Sequence, residues 1–185
     1  TERWSELPNV PTLAEAGFPG TESETFVAML APAGTPQEIV DRLAAENAIR
    51  VTRIENQSRV GLGEVKGKRV ALAQPWTFMN LSGSAVRGLL ERYELSPDRL
   101  ILVYDELAIP WKELRIRPKG SDAGHNGVKS VIGSLGTDGF ARVRLGIHPG
   151  HPIADGAGLV LAPFRRAQKQ EVEEIAGRAA AAVES

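Results

Sequence analysis

The residue best placed to do chemistry is Asp105, an acid that ends the most apolar segment of the chain. The five residues before it, Leu-Ile-Leu-Val-Tyr at 100–104, form an uninterrupted apolar run, which predicts a strand buried on both faces of a sheet. Ligands of α/β sheets bind beyond the carboxyl ends of such strands, where a carboxylate can orient a base or hold a cation. The alternative is a strand-end Asp that only caps the next turn.

Two asparagines and a histidine lie at predicted helix starts. Asn80 precedes a helix predicted to be capped by Ser82, and its amide offers a donor and an acceptor beside outward-pointing backbone N–H groups. His125 and Asn126 are flanked by glycines, whose backbone permits a ligand to approach closely. Each site also has a purely structural interpretation, as a turn or a helix cap with Phe78 in the core.

A basic stretch runs from residue 112 to residue 144, where seven Lys/Arg oppose three Asp/Glu. Arg115 and Arg117 are two apart on a predicted strand, and so are Arg142 and Arg144, so each pair points to one face. Four guanidiniums on adjacent strands could follow a phosphate backbone. Ordinary solvated strand faces are the alternative.

Several classes of site are excluded or not expected. The chain has no Cys, which excludes disulfides, thiol catalysis and Cys-ligated zinc. It contains no phosphate-binding loop, no Gly-x-Gly-x-x-Gly and no Gly-x-Ser-x-Gly nucleophile elbow. His148 and His151, with Asp155 nearby, favour a polar loop over a metal site, so no metal is expected. No apolar run approaches the roughly 18 residues of a membrane helix.

The elements that must position these residues alternate between strand and helix. The 185 residues, 42% hydrophobic and 24% charged, suit one packed domain with or without an appendage. Interleaved strands and helices predict an α/β fold, a single-domain mixed sheet flanked by helices. Strands are predicted at 25–30, 69–73, 100–104, 114–117 and 140–147; helices from Thr35 toward Ile49, from Ser82, from Gly127 through Ile132, and over 166–184; loops at 120–127 and 148–158.

Residues from about 56 to 184 resemble bacterial-type peptidyl-tRNA hydrolase. Order, spacing and identity agree with that family over about 70% of the chain. The matching segments are QPWTFMNLSG at 74–83, VYDELAIP at 103–110, LRIRPKG at 114–120, GHNGVKSVI at 124–132, FARVRLGI at 140–147 and VLAPF at 160–164. The resemblance implies hydrolysis of the ester between a peptide and the 3′ ribose of tRNA, by a monomeric cytoplasmic enzyme that needs no cofactor and contacts no membrane.

The resemblance also implies a role for each matching residue. Asp105 matches the acid that orients the catalytic His. Asn80, Asn126 and Phe78 match positions that hold the tRNA 3′ end and the peptide beside the ester. His125 matches a His beside the cleft that is not the base. The basic positions that match those facing the tRNA phosphates are Arg115, Arg117 and Arg144.

The amino-terminal part departs from this family. The family begins with a strand ending in Gly-Leu-Gly-Asn-Pro-Gly, then a helix region with Arg-His-Asn that supplies the general-base His, and neither motif occurs here. The similar residues 61–64 are predicted to form a glycine-bearing turn. Because loss of a general base costs about 10²–10⁴-fold in rate, impaired activity is expected. A tRNA-binding module without turnover is the alternative.

Residues 7–46 resemble an interior stretch of the periplasmic receptors of tripartite tricarboxylate transporters. Residues 1–50 carry a net charge of −5 and residues 51–185 carry +4, which also indicates segments of different origin. We interpret residues 1–50 as a foreign segment and residues 56–185 as a hydrolase-like domain, joined near residues 47–56. The foreign segment replaces the first strand and helix of the hydrolase family. A non-functional gene fusion and a solute-binding receptor fragment are further alternatives. Residues 25–30 are a candidate for the missing strand.

Overall fold

The computed structural model describes residues 26–29, 37–153, 156–161 and 164–184. The predicted helix start at Thr35 and positions 162–163 of the last matching segment lie outside the described residues. Within them, seven strands form one mixed sheet in the order β2-β3-β4-β1-β5-β7-β6. The strands are β1 (Phe26–Met29), β2 (Arg53–Glu55), β3 (Ser58–Val65), β4 (Lys68–Pro75), β5 (Leu100–Pro110), β6 (Leu114–Arg117) and β7 (Ala141–His148).

Strand β1 lies in the middle of the sheet, parallel to both of its neighbours. Val27 pairs with Leu72 of β4 on one side and with Ile101 of β5 on the other. The strand predicted at 25–30 is therefore confirmed over 26–29, and it separates β4 from β5. Without it, both of those strands would present unpaired backbone groups to solvent.

Five α-helices belong to the described residues, and four of them cover the two faces of the sheet. They are α1 (Gln37–Glu46), α2 (Ser82–Arg92), α3 (Asn126–Leu135), α4 (Gly156–Leu161) and α5 (Lys169–Glu184). On one face, Val40 and Leu43 of α1 are buried with Ile175 and Ala179 of α5. On the other face, Leu89 of α2 and Val131 of α3 are buried with Leu102 and Tyr104 of β5. This architecture is the predicted mixed sheet flanked by helices.

Three local predictions were wrong. Residues 61–64 lie inside β3, which pairs with β4 as a hairpin, so they are not a turn; the turn falls at Lys66 and Gly67. Both of these residues have positive φ, 50° and 78°. Ser82 is the first residue of α2 rather than its cap, because a 3₁₀ turn over Met79–Leu81 already precedes the helix. The predicted loop at 148–158 gives way to α4 at Gly156.

Candidate functional site

Asp105 lies in the middle of β5, one residue before the regular pairing with β7 ends at Glu106. The sequence predicts that the strand ends at residue 104, but β5 continues to Pro110, so Asp105 is not a strand-end residue. β5 pairs with β7 from Ile101↔Ala141 to Glu106↔Gly146, and Met29 of β1 pairs with Val103, two residues before Asp105. The Asp105 side chain is buried, with 6% of its surface exposed. The strand that pairs with β5 at this position is β7, where Asp105 is opposite Leu145.

His125 places its imidazole against Asp105. The Nε2 atom of His125 is 3.8 Å from Oδ1 of Asp105, and the ring meets the edge of the Tyr104 ring at a centroid distance of 4.8 Å. Nδ1 accepts hydrogen bonds from the backbone N–H groups of Gly127 and Val128, at 3.1 and 3.2 Å. In the neutral ring the proton is therefore assigned to Nε2, on the side that faces Asp105.

The segments that carry Asn80 and Asn126 are in contact. A Cβ on Gly127 would overlap the sulfur of Met79, so the 3₁₀ turn before α2 packs closely on the start of α3. A Cβ on Gly83 would likewise overlap the Ser130 carbonyl, and the Gly83 N–H donates to Ser130 Oγ at 3.0 Å. Both asparagine side chains remain exposed. Two amides thus lie at neighbouring helix starts, and the residue before Asn126 is the His125 whose Nε2 lies 3.8 Å from Asp105.

The segment before α2 is apolar and outward-facing. Phe78 is 81% exposed, so the interpretation that places it in the core is wrong. Trp76 and Leu81 are also exposed. The backbone beneath them is fixed, because Trp76 N–H donates to the Gln57 carbonyl at 3.1 Å and Leu81 N–H donates to the Phe78 carbonyl at 2.9 Å.

Arg142 is not part of a basic surface. β7 lies between β5 and β6, and the Arg142 side chain is covered there, with the residue 1% exposed. Its guanidinium donates to the carbonyls of Ser121 and Asp138 and stacks on Phe140 at 4.6 Å from the ring centroid. The expectation of four solvent-facing guanidiniums is therefore wrong at this position: Arg142 holds the loop before α3 to the sheet.

Arg144 forms a buried ion pair with Glu106. Its Nη2 donates to Glu106 Oε2 at 2.9 Å, with 19% of the Arg144 side chain and 5% of the Glu106 side chain exposed. The other oxygen of Glu106 accepts from the backbone N–H of Ala108 at 3.1 Å. Burial raises the pKa of the adjacent Tyr104, so its hydroxyl stays protonated around neutral pH.

Arg115 and Arg117 extend from β6, the last strand of the sheet. Both are exposed, and the register pairs Arg115 with Arg144 and Arg117 with Arg142. Arg115 contacts Glu113 at 3.3 Å, and Arg117 donates to the Ile116 carbonyl at 2.8 Å. Lys119 and Lys129 are exposed as well. The exposed charge of the basic stretch is thus carried by Arg115, Arg117, Lys119 and Lys129, and not by the two arginines of β7.

The sequence prediction did not include Glu106, Tyr104 or Trp76 among the site residues. The sequence signal for Glu106 is a second acid directly after Asp105. In the structure it pairs with Gly146, two residues beyond Arg144 on β7. The described residues contain no group of three or more His, Cys, Asp or Glu that could hold a metal ion. Nor does any helix in that part of the chain have the length and apolarity to cross a bilayer.

Two family models match the chain. Peptidyl-tRNA hydrolase matches residues 35–185, and the tripartite tricarboxylate transporter family receptor matches residues 1–60. The two matches overlap at 35–60, which includes α1.

Individual relatives of this chain are also peptidyl-tRNA hydrolases. The chain is 50% identical over 171 residues to a peptidyl-tRNA hydrolase of Solibacter usitatus, which covers 92% of this chain and 85% of that protein. It is 41% identical over 145 residues to one from Koribacter versatilis, covering 78% and 72%. The crystal structure of the peptidyl-tRNA hydrolase of Acinetobacter baumannii superposes with a TM-score of 0.71 at 25% identity, covering 82% of this chain and 81% of that one.

Proposed function

The chain belongs to the peptidyl-tRNA hydrolase family, and on that premise we propose that it binds peptidyl-tRNA and hydrolyses the ester between the peptide and the 3′ ribose. The observations that support this proposal are the proximity of His125 to Asp105 and the packing of the segment that carries Asn80 on the start of α3, which carries Asn126. In this reaction water attacks the ester carbonyl, the ribose oxygen leaves, and the released tRNA can be used again.

Asp105 is the proposed anchor of proton transfer. Its carboxylate accepts charge-assisted contacts, so it can orient an imidazole or an attacking water and stabilise the positive charge that develops there. His125 is the imidazole that faces it, at 3.8 Å from Nε2 to Oδ1, but its Nδ1 is already engaged by the backbone at the start of α3. We therefore assign His125 to holding Asp105 and the start of α3 in place rather than to removing the proton from water.

Asn80, Asn126 and Phe78 are the proposed substrate contacts. An amide can donate to the ester carbonyl and accept from a ribose hydroxyl, and the exposed N–H groups at a helix start suit an oxygen that gains negative charge. Arg115 and Arg117 are proposed to contact tRNA phosphates. Arg144 is proposed as a third basic contact, one that Glu106 holds in a fixed position.

The rate of this chain is proposed to be low. Its histidines are at positions 125, 148 and 151, so none lies in the segment where the family places its general base. A missing base costs about 10²–10⁴-fold. A second candidate function is tRNA binding without turnover. Nδ1 of His125 favours it, because this nitrogen accepts hydrogen bonds from Gly127 and Val128 and could accept a proton from water only if those bonds broke.

We further propose the division of the chain into a foreign segment at 1–50 and a hydrolase-like domain at 56–185. The receptor match over 1–60 supports it. A gene fusion accounts for both matches in one chain, and solute binding by so short a receptor segment is the least favoured function. A monomeric state and a cytoplasmic location complete the proposal.

Single-turnover hydrolysis of a blocked aminoacyl-tRNA tests the reaction. We expect measurable cleavage, slower than that of the Solibacter usitatus relative, and a further fall of about 10²–10⁴-fold in Asp105→Asn without loss of tRNA affinity. Cleavage as fast as that of the relative would contradict the proposal that the absence of the general-base histidine slows this chain. Binding with no cleavage above the uncatalysed rate would select the second candidate function.

A further inference from the structure

Trp76 and its apolar neighbours form an exposed platform beside the candidate site. Trp76 is 51% exposed, Phe78 is 81% exposed and Leu81 is 52% exposed, and these are three of the six large hydrophobic residues exposed in the described part of the chain. We call residues 76, 78 and 81 the aromatic platform. Single exposed apolar residues are common, but three large ones within six residues of sequence are a candidate contact surface for a partner.

The aromatic platform is preorganised. The backbone N–H of Trp76 is tied to β2–β3 through Gln57, and the Phe78 carbonyl closes the 3₁₀ turn through Leu81. Met79 packs inward against Gly127 while its neighbours point out. Side chains held outward on a fixed backbone lose little conformational entropy when a flat ligand packs on them.

The surroundings favour a nucleic acid partner. Residues 74–84 carry no charged side chain, so no carboxylate within this segment would repel phosphate. The only charged residue of α3, against which the segment packs, is Lys129. An indole or phenyl ring stacks on any unpaired base, because every base has a π face. Since a peptidyl-tRNA carries different peptides but the same unpaired 3′ nucleotides, a fixed aromatic surface suits the nucleotides better.

We propose that Trp76 is a base-stacking residue that, with Leu81, binds the unpaired nucleotides at the 3′ end of tRNA and so positions the ester over Asn80. This inference rests on the proposed function for its substrate and adds a contact that the family resemblance does not assign. Phe78, placed at the ester by that resemblance, continues the same surface. Affinity for the single-stranded end then comes from stacking, while affinity for the paired stem comes from the arginines of β6.

Equilibrium binding to two deacylated tRNAs tests the proposal, one intact and one lacking its unpaired 3′ nucleotides. Trp76→Leu keeps an apolar side chain but removes the π face, and we expect it to weaken binding of the intact tRNA by roughly 5- to 150-fold. Trp76→Phe keeps a π face and should retain most of the affinity. The matched control is Ile54→Ala, which removes an equally exposed apolar side chain from β2 and should change nothing.

The shortened tRNA separates stacking from a general loss of structure. Wild type and Trp76→Leu should bind it equally, because neither has a base to stack on. Equal weakening toward both tRNAs, or no weakening toward either, overturns the proposal. Indole fluorescence gives a second readout: a short unpaired RNA should quench wild-type emission, and this change should be absent in Trp76→Phe.

Other occupants of the platform give different results. A blocked peptide that competes with tRNA for the wild-type chain, but not for Trp76→Leu, would show that the aromatic platform binds the peptide. A dimer of wild type that becomes monomeric in Trp76→Leu would assign it to a second copy. Either result overturns the proposal. Hydrolysis is measured separately from binding. If the wild-type chain shows no cleavage but still binds the unpaired nucleotides through Trp76, the proposed function is wrong and the stacking proposal stands. If Trp76→Leu cleaves the substrate with an unchanged KM, the stacking proposal is wrong and the proposed function stands.

Discussion

The imidazole of His125 joins two parts of the site, because Nε2 lies 3.8 Å from Oδ1 of Asp105 while Nδ1 caps helix α3. One ring thus lies between the middle of β5 and the start of α3, the helix that carries Asn126. A change in either contact is expected to move the other. This coupling distinguishes His125 from a histidine that merely lines a cleft.

Replacement of His125 should therefore lower stability through the cap. In His125→Ala the N–H groups of Gly127 and Val128 lose their acceptor, and we expect a loss of about 0.5–2 kcal/mol in the free energy of unfolding, measured in urea. His125→Asn, which restores a good capping oxygen, should recover most of it. The exposed His151→Ala is the control. If alanine and asparagine behaved alike, the cap would not be what the ring contributes.

The salt dependence of tRNA binding should identify the phosphate contacts. Removal of Arg115 or Arg117 is expected to reduce the slope of log affinity against log salt concentration by about 1 for each residue. Arg87→Ala, an exposed arginine of α2 paired with Glu91, should leave the slope unchanged. A slope that shifts equally in all three variants would point to net charge instead of specific contacts.

Glu106 and Arg144 should be strongly coupled in stability. Removal of one partner leaves the other buried without its ion pair, and we expect Glu106→Gln or Arg144→Met to cost about 3–5 kcal/mol. The double variant should be less destabilised than the sum, as a double-mutant cycle in urea would show. Additive losses would mean that the 2.9 Å contact contributes nothing to folding.

Glu55 should make stability fall in acid. The hydrogen bond from the Tyr93 hydroxyl, and then the charges of Arg53 and Arg92, lower the pKa of Glu55 in the folded chain, against an opposing effect of burial. Because the unfolded chain keeps the ordinary value of 4.5, this contribution is complete above pH 4.5 and is lost as the pH falls through the folded pKa.

Urea unfolding at pH values from 6 down to about 3 measures this contribution. Wild type should lose more free energy over that range than Glu55→Gln, and Tyr93→Phe should fall between them. Glu91→Gln, at an exposed pair on α2, should follow wild type. Parallel profiles for wild type and Glu55→Gln would contradict the assignment.

Periodicity and turn chemistry were enough to predict much of this fold. The apolar run at 100–104 and the alternation at 140–147 gave the central strands, because burial on both faces leaves a clear apolar pattern. The hairpin of β2 and β3 was missed, since its glycines at 61 and 63 suggest a turn. They are required instead because a Cβ at either position would overlap Ile49.

The sequence was enough to select candidate site residues, but not to predict which arginines of the basic stretch are exposed. The asparagines were selected because they precede predicted helices, which the structure places at α2 and α3, whereas Asp105 was selected as a strand end and lies inside β5. The burial of Arg142 does not follow from spacing, because alternation predicts which face a side chain is on but not whether a loop covers that face. The carbonyls of Ser121 and Asp138, which receive its guanidinium, come from the loops on either side of α3.

The central position of β1 depends on backbone pairing, whereas the chemistry of the candidate site depends on particular side chains. A strand joins a sheet through backbone N–H and C=O groups that every residue but proline carries, so the four residues of β1 can pair with β4 and β5 largely regardless of their side chains. Proton transfer depends instead on one side chain at one position. Sequence change in β1 is therefore expected to leave the topology of the sheet intact, whereas a change at Asp105 is expected to alter the chemistry.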